Sequence, residues 1–269
     1  MKQPLVSIII PTYNRIHSLA ELMESLIKQT FTNFEVIIVN DAGNRVDELK
    51  ELYWEINCKI INLEQNSKHV KARNVGVSHA IGEYIMLIDD DDIILPTHIE
   101  RMVEELNHYD LVYSDVEIVD YNHVNNQRIP KSRLLFAYNY DLKEMKKFST
   151  FVPSGSLYRK QLHDHIGYFD EAVMNYWDWD FFLRVASSYK VKRVPIAGVL
   201  YEFSSEGDNQ SKNLTSMRKY LDRLSEKHEL GPLPTKNFFL LLKEPEVIAR
   251  QAESEVIWDG QPIRSRLIL

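Results

Sequence analysis

The run Ile88-Asp89-Asp90-Asp91-Asp92 places four carboxylates directly after an apolar segment. Carboxylates this close repel one another unless a cation or a set of amides compensates them. Hard oxygen donors of this kind suit Mg²⁺ or Mn²⁺, ions often shared between protein carboxylates and substrate phosphates. The same run also reads as a solvated acidic turn ahead of a helix near Thr97, and both readings stand at this level. Two further polar clusters, Thr12-Tyr13-Asn14 and Asn40-Asp41-Ala42-Gly43, also follow apolar runs. The second is good turn chemistry. Asp178 and Asp180 are two apart in Trp177-Asp178-Trp179-Asp180, which by itself reads as a carboxylate pair favourable to a helix N-terminus.

The elements that must position these residues alternate between two periods. Val6–Ile10 is a continuous β-branched run closed by Pro11, as in a buried parallel strand. Phe34–Val39, Lys59–Leu63, Tyr84–Ile88 and Leu111–Ser114 read as further strands. Between them, Ser18-Leu19-Ala20-Glu21 reads as a capping box, with Leu19, Leu22, Met23, Leu26 and Ile27 at helical spacing behind it. A polar helix is expected over Val46–Trp54, another over Val70–Ala80 with Gly82 ending it, and a third from the capping box Thr97-His98-Ile99-Glu100 to about Asn107. Strand-helix repetition implies an α/β fold, a mostly parallel sheet with helices on both faces. Ligands bind beyond the carboxyl ends of such strands, so one pocket can collect clusters far apart in sequence.

The second half is less regular. Residues 121–148 show no clear period and read as a loop or an excursion over the site. Trp179–Tyr189 and Asn213–His228 read as helices, and Val191–Val194 and Val199–Phe203 as short strands. Gly231-Pro232-Leu233-Pro234 is the best linker candidate, followed by a docking helix and tail over 235–269.

Of the 269 residues, 44% are hydrophobic, enough for a real core and against wholesale disorder. Acidic residues outnumber basic ones 39 to 32, a net charge of −7, which argues against broad nucleic-acid binding. The single cysteine, Cys58, excludes an internal disulfide or a cysteine-based zinc site. Neither Val6–Ile10 nor Phe238–Leu242 is long enough for a membrane span. A cytoplasmic protein is expected, with peripheral attachment to the membrane left open.

Several motifs in order now carry a resemblance. Val6-Ser7-Ile8-Ile9-Ile10-Pro11-Thr12-Tyr13-Asn14-Arg15 resembles the opening of the family 2 glycosyltransferases, which have the Rossmann-like GT-A fold. Gln29-Thr30 precedes Phe34-Glu35-Val36-Ile37-Ile38-Val39-Asn40-Asp41. Asn66 with Ala72-Arg73-Asn74-Val75-Gly76 is similar to the pattern N-x-G-x-x-x-A-R-N-x-G, and Gly82-Glu83-Tyr84-Ile85 leads into the L-D-x-D-D signature at Ile88–Asp92. The resemblance covers roughly residues 4–205. It implies a GT-A domain over 1–210, with a nucleotide-binding part to about 115 and an acceptor part from 116, then a C-terminal helical extension and tail over 211–269.

The resemblance also implies roles. Tyr13 packs on the nucleotide base, and Asp41 accepts a hydrogen bond from it, as a uracil N–H requires. Arg73 lies near the diphosphate, where its fork suits phosphate oxygens. Pro11, Thr12, Asp89 and Asp90 complete the nucleotide-binding set, with Asp90 turned away from the ion. Asp91 is the main ligand of a Mn²⁺ or Mg²⁺ ion, Asp89 touches ribose or metal, and Asp92 is a secondary ligand. Trp177–Arg184 resembles the motif E-D-x-D-L-x-x-R, whose first aspartate is the catalytic base of inverting members. That position is Asp178, a carboxylate that would deprotonate an acceptor hydroxyl. Trp177 and Trp179 suit stacking on sugar faces and pack equally well in a core. Pro153-Ser154-Gly155-Ser156 resembles the segment that approaches the donor sugar and acceptor, where Gly155 allows close backbone approach.

The implied activity is inverting transfer of one sugar from a nucleoside diphosphate sugar, UDP-linked, to a glycan, lipid-linked or wall-polymer acceptor. Three positions depart from the pattern. Its second glycine falls at Lys68, the glutamate of its E-D pair is Trp177, and no histidine stands in Tyr201-Glu202-Phe203-Ser204-Ser205 to serve as a late metal ligand. An oxidoreductase would need G-x-G-x-x-G after the first strand, and none is there. A nucleotidyltransferase would want a glycine-rich basic loop at the same point. The alternative from another class is a non-catalytic nucleotide-sugar-binding relative, which would keep Asp41 and Asp91 and lose the base.

Overall fold

The computed structural model describes residues 3–203, 214–235 and 238–268. The β-branched runs form β1 (Val6–Thr12) and β2 (Phe34–Asn40), paired in parallel from Val6 opposite Phe34 to Thr12 opposite Asn40. β3 (Cys58–Asn62) and β4 (Tyr84–Leu87) flank them, also in parallel. The crossovers carry α1 (Ile16–Ile27), the single turn α2 (Leu49–Leu52) and α3 (Lys68–His79). After these come β5 (Ile93–Ile94), α4 (His98–Leu106), β6 (Leu111–Val124), β7 (Gln127–Phe136), α5 (Leu142–Met145), β8 (Leu157–Arg159) and α6 (Leu162–Ile166). A 3₁₀ segment (Glu171–Tyr176) leads into α7 (Trp177–Ala186), β9 (Val191–Glu202) and α8 (Leu214–His228). α9 (Phe238–Leu241), α10 (Pro245–Ile248), β10 (Glu255–Val256) and a last 3₁₀ turn (Arg266–Ile268) follow.

The sheet runs β10-β9-β6-β8-β4-β1-β2-β3, with β5 added on β9 and β7 on β6. It is the expected α/β arrangement, mostly parallel, with β8 inserted antiparallel between β4 and β6. Because side chains alternate across a strand, β1 feeds two cores. Val6, Ile8 and Ile10 pack with Leu19, Leu22, Met23 and Leu26 of α1 and with Ile99 and Met102 of α4. Ile9 faces the other way, onto Val70 and Val77 of α3 and Phe181, Phe182 and Val185 of α7. Each fully buried aliphatic side chain contributes about 1.5–3 kcal/mol, so these two layers fix where the strand ends lie. Gly76 lets α3 sit close on β1: a Cβ there would run into Ile9.

Several local expectations are corrected. α1 begins at Ile16, ahead of the Ser18 capping box, and Ser18 Oγ instead donates to the Arg15 carbonyl at 3.1 Å. Thr97 does precede α4 but makes no side-chain cap, and Glu100 accepts from Thr30 Oγ1 at 2.8 Å. α3 stops at His79, before Gly82. The polar helix over Val46–Trp54 shrinks to one turn. The aperiodic stretch after Tyr121 is no loop: β6 and β7 form a long antiparallel hairpin turning at Asn125-Asn126, with φ 50° and 60°. Two central residues at positive φ are the signature of a type I′ turn, whose twist matches that of the strands. The two short strands expected after α7 are one strand, β9.

The Gly231–Pro234 segment is anchored. Leu233 is buried against Trp179, Leu183, Leu221 and Leu224, and its carbonyl accepts from Arg218 at 2.7 Å. The tail packs back on the sheet. β10 pairs with β9, Arg101 holds Glu255, and Arg266 reaches Glu55 beside α2 and the Leu52 carbonyl. The expected boundary at 210/211 lies outside the described residues. Among those described, no helix is long and apolar enough to cross a membrane.

Candidate active site

The carboxyl ends of β1, β2 and β4 open into one cleft of about 460 Å³. It is lined by Pro11, Thr12, Tyr13, Asp41 and Arg73, by Asp89, Asp90 and Asp91, and by Trp177 and Asp178. The topology thus brings together residues spread over more than half the chain.

The aspartate loop follows β4 directly. Its four carboxylates point to four different environments. Asp89 accepts from the Arg73 guanidinium, and its amide donates to Ser154 Oγ at 3.2 Å. Asp90 is buried, accepts from Thr12 Oγ1 at 2.6 Å and lies 3.5 Å from Arg15. Burial, then the charge of Asp91, pushes the Asp90 carboxyl up to about 7 against the pull of Arg15 and Thr12. Asp91 pairs with Arg15 at the cleft surface. Asp92 is fully buried, accepting from Ser154 Oγ and from the Glu202 amide at 3.0 Å, and its carboxyl is held well above the usual range chiefly by burial. Oxygens of Asp89, Asp91 and Asp92 lie within 4.8 Å of one another. This all-oxygen donor set fits Mn²⁺ or Mg²⁺. Asp89 and Asp91 are the better donors, since both Asp92 oxygens are already engaged.

On the other flank, Tyr13 is 48% exposed, a ring on open display at the end of β1. Asp41 is buried and accepts from the amides of Ser67 at 2.6 Å and Lys68 at 2.8 Å, closing the N-terminus of α3. A carboxylate has about four acceptor sites, so a base N–H can still be accommodated. The departure at Lys68 now has a physical meaning. Its φ is 72°, the left-handed region that glycine enters freely and a lysine enters at a cost of about 1–2 kcal/mol. Lys68 also lines the cleft, beside His69.

At α7 the two carboxylates part company. Asp178 is half-buried on the cleft wall, in the first turn of α7. Burial pushes its carboxyl up to about 6. Asp180 is fully buried behind the wall, bound by Arg184 Nε at 2.9 Å, His228 Nε2 at 2.8 Å and Lys227 Nζ at 2.7 Å. Burial alone would raise its carboxyl, but the hydrogen bond from His228 and the charges of Arg184 and Lys227 pull it down to about 2. Trp177, where the pattern has glutamate, carries the Arg73 guanidinium 4.2 Å above its ring. A cation–π contact there supports the same arginine that also holds Asp89.

Two expected sugar-site residues are not brought to the cleft lining. Trp179 is buried against Val173, Leu221 and Leu224, and its indole N–H donates to the Met145 carbonyl at 2.8 Å. Gly155 is buried at φ 78°, where a Cβ would strike His98, and its carbonyl takes a 2.8 Å hydrogen bond from His98 Nε2. Asp92 lies beneath the cleft as a brace. Conversely, Arg15, His69, Glu202 and, from the hairpin, Arg128 belong to the site or its support and had no assigned role in the sequence reading. Arg15 stands inside a quoted motif. Arg128 had no sequence signal beyond the Asn-Asn turn two residues before it. The segment 204–213, where a late metal ligand was sought, lies outside the described residues.

A sheet of this order with an aspartate loop at the end of β4 is the GT-A architecture of glycosyltransferases, and sequence comparison agrees. The Glycosyl transferase family 2 profile matches residues 7–167. An uncharacterized glycosyltransferase of Bacillus subtilis, YwdF, is 59% identical over 263 residues, covering 97% of this chain and 98% of its own length. An uncharacterized glycosyltransferase of Rickettsia typhi is 32% identical over 200 residues, 69% of this chain, which spans only 61% of that relative. Staphylococcus aureus TarS, solved with UDP-GlcNAc, superposes with a TM-score of 0.63 at 24% identity, over 82% of this chain and 66% of that one. The mannosyltransferase PcManGT of Pyrobaculum calidifontis, solved with GDP-Man and Mn²⁺, superposes at 0.61 with 14% identity, over 87% and 67%. At these identities the solved structures speak for the fold alone. The chain belongs to glycosyl transferase family 2.

Proposed function

We propose that this protein is an inverting glycosyltransferase that moves one sugar from a nucleoside diphosphate sugar, UDP-linked, to a hydroxyl of a saccharide, lipid-linked or wall-polymer acceptor. The observation that carries the reading is the shared cleft. A carboxylate raised to about 6, Asp178, faces the same space as an oxygen donor set at Asp89 and Asp91. A base near neutral pH and a site for departing diphosphate are the two functions that the reaction requires.

Tyr13 offers its ring to the base, and Asp41 accepts from the base edge. Arg73, held between Trp177 and Asp89, presents its guanidinium to the diphosphate. Asp89 and Asp91 would hold a Mn²⁺ or Mg²⁺ ion, which supplies charge neutralisation for the leaving nucleoside diphosphate. Asp178 takes the proton of the acceptor hydroxyl as that oxygen attacks the anomeric carbon from the face opposite the leaving group. Trp177 is buried between Arg73 over its ring and Phe169 at 4.9 Å, so its part is to hold Arg73 at the cleft wall.

Calorimetry with UDP, GDP and dTDP, each with and without Mn²⁺, tests the donor. UDP is expected to bind most tightly, and more tightly with Mn²⁺. If none of the three binds, the donor reading fails.

A further inference from the structure

The β6–β7 hairpin reaches the aspartate loop through one side chain. Arg128 lies three residues beyond Asn125 and is 5% exposed. Its Nε donates to Glu21 of α1 at 2.6 Å, and its Nη1 donates to Glu202 at the end of β9 at 2.6 Å. The same Nη1 donates to the backbone carbonyl of Asp91. Tyr121 of β6 covers the guanidinium at 5.1 Å. The Glu202 amide in turn holds Asp92. One guanidinium therefore ties α1, β9 and the hairpin to the peptide that carries Asp91.

Three arginines serve this loop, and they act differently. Arg73 and Arg15 bind the carboxylates of Asp89 and Asp91, the groups that a ligand would use. Arg128 binds Asp91 through the main chain and leaves its carboxylate free for other partners. Two glutamates, buried Glu21 and half-buried Glu202, compensate the charge of Arg128, so its presence adds no net cation at the cleft. A planar guanidinium held through both Nε and Nη1 is suited to locking a backbone position, because its rigid donors lose little freedom on binding.

We propose that Arg128 is a positioning residue for the divalent-cation site: it fixes the Asp91 main chain so that the Asp89 and Asp91 carboxylates converge. This inference rests on the reading of the aspartate loop as a metal site. Supports of this kind behind metal ligands typically change affinity about 10- to 100-fold when removed.

The test titrates Mn²⁺ into the full-length chain, with and without UDP, and follows loss of the free-ion electron paramagnetic resonance signal against a UDP-only blank. Thermal unfolding is recorded in parallel. Arg128→Met is expected to weaken Mn²⁺ binding about 10- to 100-fold. Arg128→Lys, which keeps the charge but not the fork, should fall between Arg128→Met and the unmodified chain, and it carries the test if Arg128→Met does not fold. Arg250→Met removes another buried arginine, one bound to Thr150 away from the loop, and should lower stability while leaving Mn²⁺ affinity unchanged. Asp91→Ala serves as the reference and should abolish the binding. If Asp91→Ala abolishes it while both Arg128 variants bind Mn²⁺ within twofold of the unmodified chain, Arg128 is only a stabilising ion pair and the inference is overturned, with the metal site intact. If Asp91→Ala binds Mn²⁺ normally, the metal reading itself falls and takes the inference with it.

Discussion

The aspartate loop and the first turn of α7 both crowd carboxylates into buried space, yet they are balanced in opposite ways. At α7 the split is clean. Asp180 takes Arg184, Lys227 and the His228 ring as partners and sinks behind the wall, while Asp178 faces the cleft. In the loop the charge is shared. Arg73 pairs with Asp89 and Arg15 with Asp91, while Arg128 takes only the Asp91 main-chain carbonyl. Burial pushes upward on Asp90, Asp91 and Asp92 in the loop and on both Asp178 and Asp180 at α7, so burial does not separate chemical from structural roles. The partners do: a carboxylate clamped by its own set of bound side chains is anchored, and one at the cleft wall without that clamp stays able to exchange a proton near neutral pH.

The contrast can be broken in four ways, of decreasing size. Asp178→Asn should cut transfer by about 100- to 10,000-fold, the usual range for a general base, with nucleotide affinity by calorimetry unchanged. Retained turnover would place the base elsewhere. Asp180→Ala should instead act on the fold. Leaving its cations unpaired costs about 3 kcal/mol, towards the lower end for a buried pair because Lys227 is partly exposed, and lowers Tm by roughly 6–12 °C. A variant that unfolds normally but loses catalysis would reverse the two assignments.

The third way is pH. Asp178 must be ionised to accept a proton, so kcat/KM should fall below pH 6 and be roughly tenfold lower at pH 5. The folded carboxyl of Asp180 is depressed to about 2, against about 3.9 in an unfolded chain. Its contribution to stability is therefore complete above about pH 4 and is lost only as pH falls through 2. At pH 5 circular dichroism should show no unfolding from this group while activity drops reversibly. Activity lost only together with structure would contradict the split. The smallest effect is at Arg15, whose ion pair with Asp91 is 43% exposed on the arginine side. Arg15→Ala should leave Tm almost unchanged and raise nucleotide-free Mn²⁺ affinity by up to about fivefold, the equivalent of ~1 kcal/mol. Weaker binding would mean that Arg15 supports the donor set rather than competing with an ion for it.

The donor side was readable because each of its strands is a continuous apolar run that ends in a polar cluster. β1, β2 and β4 are such runs, and topology alone then brings Tyr13, Asp41 and Asp89 together. The far side hid its structure for identifiable reasons. β7 exposes Ile129, Leu134 and Leu135 beside Lys131 and Arg133, and its pairing with β6 shifts register at Asp120/Tyr121, so period-2 alternation is lost. Asn125-Asn126 was the available signal. β9 was split in two by Pro195 and Gly198. Its ladder with β6 skips from Val194 to Ala197, so Pro195 falls where no donor is needed. Trp179 and Gly155 looked like ligand contacts by residue type, but packing against Leu224 and His98 claims them. Residue type alone cannot decide between those uses.

The hairpin turn gives chain length a meaning in this molecule. A strand presents alternate residues to alternate faces, so a slip of one position inverts every side chain beyond it. A one-residue change at Asn125-Asn126 that slips the pairing of β6 with β7 would turn Arg128 outward and leave Glu21 and Glu202 without it. An insertion at a solvent-facing turn, outside every family motif, would thus read in an assay as a lesion of the active centre.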